Sequence, residues 1–361
     1  MARATMFFPP DFLWGSATSS HQVEGNNDNN DWWAWEQEHG RILDGGRSGA
    51  ANDWWENAEQ DIELMAEMGS NAHRLSIEWS RVEPEPSVFD DEALNRYREI
   101  VRILRDHGIE PMVCLHHFTN PLWLVDKGDF DSELVVDYFK RYASKVAEAL
   151  GDLVPRWLTF NEPMVYFLYR YIEGLFPPPE QIGWRAGMRA LTNMLRSHGA
   201  AYEAIKSVQP SVEVGVAKHH RPIEAWPGTN QLSRWWASRV SWFFNDLWME
   251  CLASGRRRWP LGRGRINGLA GTFDFTAINY YSRALVRFPP RPGRLYESQA
   301  PPGAVMVDDD FFEIYPQGLF QAIKANLRFE KPIYITENGL PDASDSHRPG
   351  YILSHLREVW R

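Results

Sequence analysis

The chain of 361 residues is long enough for one large α/β domain with a sizeable core, or for two smaller ones. Its 38 Lys and Arg against 48 Asp and Glu leave a formal net charge of −10, which repels phosphate backbones and argues against a nucleic-acid partner. Two cysteines make no disulfide framework, and no apolar run reaches the roughly 18 residues of a membrane span, so neither an oxidised scaffold nor a membrane partner is expected.

Strand-like and helix-like segments alternate from end to end. Residues 1–10 carry one Arg and no apolar run of the kind that opens a leader, which reads as a cytoplasmic protein. Apolar runs bounded by Pro, Gly or charge predict strands at 12–17, 72–79, 110–117, 156–161, 213–218, 273–279 and 332–336. Apolar positions at 3.6-residue spacing predict helices at 53–68, 91–107, 132–150, 184–208, 231–253 and 316–327. Asp53 is a candidate N-cap, and Gly69, Gly108 and Gly151 stand where glycines close helices. The basic stretch Arg256, Arg257, Arg258, Arg263 and Arg265 lies among Gly and Pro and reads as a solvated loop. No Ser/Gly linker, repeat or low-complexity tract interrupts the alternation, so residues 1–361 read as a single domain.

Parallel strands joined by helical crossovers close either as an open doubly wound sheet or as a (β/α)8 barrel. No Gly-x-Gly-x-x-Gly follows the first strand, which counts against a dinucleotide-binding sheet. The expected fold is α/β of the (β/α)8 TIM-barrel type, incomplete, with seven strands and not eight.

Two glutamates stand where strands stop. Glu162 follows Thr159-Phe160-Asn161, and Glu337 follows Tyr334-Ile335-Thr336. Carboxylates at the C-terminal ends of barrel strands occupy the place where such folds keep their chemistry, and a facing pair cleaves glycosidic bonds. Cleavage with retention needs one acid and one nucleophile about 5–5.5 Å apart. For either glutamate alone, position allows a loop or helix-start charge about equally well. Arg74, inside the apolar strand 72–79, must find an anion or acceptors if it is buried; the other reading is an arginine reaching out from a strand end. His116-His117 and His219-His220 are adjacent on strands, so their side chains point to opposite faces and cannot chelate one ion. One of each pair is expected under the helices and the other at the strand mouth. No metal and no cofactor are expected.

The residues carry a resemblance. Phe12-Leu13-Trp14-Gly15-Ser16-Ala17-Thr18-Ser19-Ser20-His21-Gln22-Val23-Glu24-Gly25 is its most specific stretch. Arg74-Leu75-Ser76-Ile77-Glu78-Trp79, Leu115-His116-His117-Phe118, Thr159-Phe160-Asn161-Glu162-Pro163, Asn279-Tyr280-Tyr281-Ser282 and Ile335-Thr336-Glu337-Asn338-Gly339 follow in order. The chain resembles the family 1 retaining β-glycosidases, the β-glucosidase and β-galactosidase group, over essentially its whole length. The resemblance implies Glu162 as acid/base and Glu337 as nucleophile. It implies Arg74 and Tyr281 as the groups that hold and ionise Glu337. Gln22, His117 and Asn161 resemble ligands of the sugar hydroxyls, and Asn279 a sugar contact or a residue supporting one. The implied partners are small β-glycosides, cleaved by an exo-acting hydrolase.

The sequence departs from the family at three places. Phe118 stands where the family often has Trp, and Met164 where an aromatic residue commonly follows Asn-Glu-Pro. The family's eighth strand, with its Trp-Ser-x-x-Asp-Asn-Phe-Glu-Trp stretch, has no counterpart here. Weakened activity and self-association through an open barrel edge are therefore expected. The rival reading is an incomplete barrel that binds glycosides or apolar ligands with little turnover.

Overall fold

The computed structural model describes residues 5–42, 44–177, 182–290, 301–307 and 313–361. Nine strands are found among them: β1 (Gly15–Ala17), β2 (Ala72–Ser76), β3 (Glu110–Cys114), β4 (Arg156–Asn161), β5 (Glu213–His219), β6 (Ile223–Ala225), β7 (Thr276–Tyr280), β8 (Ala284–Val286) and β9 (Ile333–Asn338). Residues 1–4 of the stretch read for a leader lie outside the described residues. The chain divides into two compact units, one of Leu13–Ala217 with Cys251–Phe275, the other of Met1–Phe12, Lys218–Glu250 and Thr276–Arg361.

In the larger unit each strand pairs in parallel with the one before it, from β1 through β4 to the start of β5. Helices cover the connections because their apolar residues recur on one face. In Asp91–Asp106 the buried side chains are Ala93, Leu94, Tyr97, Ile100, Val101 and Leu104. Asp90 caps that helix by accepting the Glu92 and Ala93 amides at 2.9 and 3.0 Å, and Gly108 turns the chain out at φ 72°. Much of the aromatic surplus lies in this unit's core: Trp79 stacks on Tyr142 at 4.8 Å, and Phe139 on Phe160 at 4.7 Å. Gly15 is required where it stands, since a Cβ there would lie 2.0 Å from the Ala72 carbonyl oxygen and break the β1–β2 ladder.

The smaller unit pairs β7 with β9 in parallel, over a cluster of Ile278, Tyr280, Leu319 and Ala322. β6 and β8, which the sequence reading lacked, form a separate parallel pair of three residues each. They are too short to show periodicity.

Most expected elements are found within a few residues, and the exceptions have local causes. Asp53 precedes the helix Trp54–Glu67 at φ 56° but its side chain does not cap; it accepts from Asn57 Nδ2 at 2.8 Å instead. Gly151 is right-handed, and its missing Cβ leaves room for the Ala147 carbonyl oxygen, 2.5 Å from where that atom would be. The histidine pairs do not sit side by side within strands: His116 and His117 lie beyond β3, and His220 follows β5. The helix expected at 231–253 is interrupted by a π-helical turn at Trp242–Asp246. Buried Lys218 reaches it, donating to the Asn245 carbonyl at 2.8 Å. Both cysteines are buried, and Arg256, Arg258, Arg263 and Arg265 are exposed in a loop, as expected of that stretch.

Burial pushes the Lys218 ammonium down to about 7, against the raising influence of Asp246 and with the lowering influence of Arg328. Above that pH the unfolded chain holds the extra proton, so stability contributed at this site rises with pH from about 7 towards about 10. Lys218→Met should therefore stabilise the protein by about 2 kcal/mol at pH 6, and by little near pH 10. Denaturant titrations at the two pH values check this, and a larger gain at the alkaline value would refute it.

Candidate active site

Glu162 is placed by a strand that ends irregularly. Leu158 pairs with Gly215 and Asn161 with Ala217, so β4 carries one more residue than β5 over this stretch. Such a bulge turns the following side chains to a different face, and bulges gather beside active sites. Glu162 then takes a left-handed conformation, φ 48° and ψ 58°, and its buried side chain precedes Pro163, the first residue of the helix Pro163–Phe167. Its amide donates to the Ala217 carbonyl at 2.7 Å, and its carbonyl accepts the Val165 and Tyr166 amides.

Arg74 does not reach out to solvent. It is 5% exposed, and its Nη1 donates to Asn161 Oδ1 at 3.2 Å. An arginine can only donate, so that oxygen is fixed towards it, and Asn161 Nδ2 is left to donate to His117 Nε2 at 3.2 Å. The His117 proton then resides on Nδ1. Burial holds His117 well below the usual imidazole range, reinforced by the Arg74 charge and then by His116. Burial likewise pushes His73 and His116 down to about 4, with Arg74 a second cause at His73. The imidazoles around Arg74 are neutral, and Arg74, Asn161 and His117 form one directed chain beside Glu162.

His116 is packed edge-on against Phe130, Phe160 and Tyr166, while its half-buried neighbour His117 meets Asn161. The division of labour within that pair is as expected, but a turn and not strand alternation produces it. Gln22 is exposed on the short helix Ser20–Val23, and its Oε1 accepts from Ser19 Oγ at 2.6 Å. It makes no hydrogen bond to the Arg74–Asn161–His117 chain, but its helix is tied to β2, where the Ser20 amide donates to Ser76 Oγ at 2.7 Å. Phe118, at φ 75°, is an aromatic residue in a region that L side chains rarely adopt.

Glu337 stands in the smaller unit near the end of β9, and a second bulge precedes it. Ile278 pairs with Ile335 but Asn279 with Glu337, leaving Thr336 as the extra residue. Thr336 Oγ1 donates to Asn279 Oδ1 at 2.7 Å. Asn279 is completely buried, which favours support of β9 over direct contact with a ligand. The Tyr281 hydroxyl donates a hydrogen bond to Glu337 Oε2. Tyr281 is in turn held by Tyr351, whose hydroxyl donates to the Tyr281 carbonyl at 3.0 Å, and by the edge of His219 at 5.8 Å. Of the second histidine pair, His220 is buried against Asn326. Among the described residues no group of three or more His, Cys, Asp or Glu is arranged to hold a metal ion.

Each unit thus presents a glutamate immediately after a bulge at the C-terminal end of a parallel strand, with directed polar partners beside it. Residues 4–361 match the description of glycosyl hydrolase family 1. The chain belongs to that family. It is 30% identical to a β-galactosidase of Pyrococcus woesei, over 97% of this chain and 85% of that protein. It is also 30% identical to β-glucosidase A of Acetivibrio thermocellus, over 98% and 86%. The solved β-glycosidase from Pyrococcus horikoshii superposes with a TM-score of 0.89 and 37% identity, over 98% of this chain and 81% of that one. A Thermotoga maritima β-glucosidase in complex with castanospermine superposes at 0.88 with 26% identity, over 98% and 86%. This family 1 member is a glycoside hydrolase of the (β/α)8 TIM-barrel class, and its parallel strands β1–β5, β7 and β9 number seven among the described residues. Among the same residues no helix is long and apolar enough to cross a membrane.

The left-handed backbone at Glu162 has a measurable consequence. A non-glycine residue there costs about 1–2 kcal/mol that glycine does not. Glu162→Gly should accordingly be about 1 kcal/mol more stable than Glu162→Ala. Thermal unfolding of the two variants at one pH compares them, and equal or reversed stabilities would show that the backbone relaxes once the side chain is gone.

Proposed function

We propose that the protein is a retaining exo-β-glycosidase that cleaves β-glucosides or β-galactosides by double displacement, as a single catalytic domain. The observation that carries this reading is the pair of glutamates, each aimed by a bulge at the end of a parallel strand. Relatives named β-galactosidase and β-glucosidase support the substrate class. In the first step the Glu337 carboxylate attacks the anomeric carbon and the bond to the aglycone oxygen breaks. Glu162 gives its proton to that oxygen. In the second step Glu162, now ionised, takes a proton from the water that attacks the same carbon, and Glu337 leaves. Two inversions give overall retention.

Tyr281 supports the nucleophile's role, because a hydrogen bond donated to a carboxylate favours its ionised form. Arg74 is proposed to serve the same end, since an arginine keeps its positive charge at any working pH. Gln22, His117 and Asn161 are proposed to bind the sugar hydroxyls, the Arg74–Asn161–His117 chain orienting the last two before substrate arrives. Asn279 supports β9 from behind. A cytoplasmic location, weakened turnover and self-association through a sheet edge belong to the same reading.

Glu337→Ala should lower turnover of every β-glycoside by more than about 10^4-fold. Glu162→Ala should lower kcat/KM by about 10^2–10^4-fold for alkyl glycosides and leave dinitrophenyl glycosides nearly untouched, since an activated phenolate needs no proton. Azide should restore Glu162→Ala turnover and yield the β-glycosyl azide. NMR of the wild-type reaction should show the β-anomer first. An α-anomer as first product, or equal losses in both variants with no azide rescue, would overturn the assignment. Wild-type kcat/KM on nitrophenyl β-glucoside and β-galactoside measures how far activity is weakened.

Self-association is checked separately. Sedimentation velocity over a concentration series should show a species heavier than the monomer, and a monomer throughout would refute it.

A further inference from the structure

The helix that follows Glu162 is anchored by a buried polar cluster that the reaction scheme leaves unused. Arg170 is 1% exposed and its guanidinium spans two carboxylates. Its Nε donates to Asp129 Oδ2 at 2.8 Å, and its Nη1 lies 2.7 Å from Asp31 Oδ2. Asn120 closes the cluster: its backbone amide donates to Asp31 Oδ1 at 2.9 Å, and its Nδ2 donates to Asp31 Oδ2 at 3.0 Å and to the Tyr166 hydroxyl at 2.9 Å. The Tyr166 hydroxyl donates onward to the Asp129 carboxylate at 3.2 Å. Charges withdrawn from water to this extent rarely add net stability over an apolar core of equal volume, whereas they do fix one arrangement of the groups they join.

What is joined here lies on both sides of the candidate acid/base. Tyr166 and Arg170 follow Glu162 at spacings of four residues, along one line of the helical segment. The Tyr166 amide donates to the Glu162 carbonyl at 2.9 Å, so fixing Tyr166 fixes the end of the left-handed turn. Arg170 lies in the π-helical turn Leu168–Glu173, an irregularity that recurs at functional sites, and it also donates to the Pro177 carbonyl. On the other side, Asn120 Oδ1 is 3.0 Å from His116 Nε2, and the His116 carbonyl accepts the Asn161 amide at 2.8 Å. The cluster therefore reaches the backbone of Asn161 by one arm and of Glu162 by the other.

We propose that Tyr166 and Arg170, through the Asp31–Asn120–Asp129 cluster, are positioning residues that hold Glu162 in line to give up its proton. The inference rests on Glu162 being the acid/base. It separates positioning from packing: loosening the cluster should harm proton delivery selectively, whereas a structural role would lower stability without regard to the leaving group.

The test uses the full chain with Tyr166→Phe, which keeps the ring and removes only the bridging hydroxyl, and Arg170→Lys, which keeps the charge and removes the fork. Both are assayed beside Glu162→Ala on aryl and alkyl β-glycosides of graded leaving-group pKa. In the two cluster variants, kcat/KM for poor leaving groups should fall about 10- to 100-fold and for dinitrophenyl glycosides less than about 3-fold, with KM little changed. If Glu162→Ala shows its leaving-group dependence but both folded variants lose activity uniformly, or lose only thermal stability, the positioning role is refuted and the acid/base assignment stands. If Glu162→Ala itself shows no such dependence, the assignment falls and takes this inference with it. Should either variant fail to fold, the other decides, and loss of folding in both shows a structural cluster and refutes positioning.

Discussion

The burial of Arg74 is the constraint on which the larger unit's share of the site depends. A guanidinium keeps its charge at any pH the fold survives, so a strand that buries one must surround it with acceptors and with groups that carry no like charge. Asn161 meets the first demand through its amide oxygen, and that contact alone fixes the amide's orientation. The second demand appears in the imidazoles: His73 and His117 are held neutral by burial first and by the Arg74 charge second. A single buried cation thus sets an amide orientation and through it a tautomer, and adds to the burial that keeps its imidazole neighbours neutral.

A second constraint is geometrical. In a regular strand, alternate residues face alternate sides, and the same periodicity that buries Leu158 and Phe160 would decide where Glu162 points. The extra residue in β4, and Thr336 in β9, reset that alternation immediately before each glutamate. At Glu162 the reset is completed by a left-handed turn that a glutamate adopts only at some cost. The neighbouring loop does the same at Phe118. Strain concentrated at the candidate acid/base and the loop beside it is what a site held by its surroundings should show, and the hydrogen bonds of Glu162 to the Ala217 carbonyl and from the Val165 and Tyr166 amides are those surroundings.

Two buried polar networks of the larger unit are built alike. Around Glu24, burial lifts the carboxyl to about 7 although Arg81 lies alongside, and the Tyr97 hydroxyl and Asn27 amide supply its remaining partners. Around Arg170 the roles are reversed, one cation between two carboxylates with Tyr166 and Asn120 completing the bonds. The first holds Glu24, two residues after Gln22, and the second holds Tyr166, whose amide donates to the Glu162 carbonyl. Each joins segments far apart in sequence, so each ties the short irregular pieces that carry site residues to the regular elements around them.

The sequence by itself determined the alternation of elements and hence the class of fold. Periodicity and boundary chemistry are local properties, and β4 and the helix Trp184–Val208 were legible from them to the residue. The glutamates were legible because each closes an apolar run, and the family because whole stretches such as Phe12–Gly25 are specific. What only the tertiary structure decided was everything that depends on a partner distant in the chain. The Asp31–Arg170 pair spans 139 positions and has no periodicity to announce it. The bulges exist only as a mismatch between two strands, so neither strand shows them alone. The π-helical turn at Trp242–Asp246, whose Asn245 carbonyl accepts from Lys218, carries the apolar spacing of an uninterrupted helix. Local pattern fixes what a segment becomes, whereas the satisfaction of buried charge fixes where its side chains finally point.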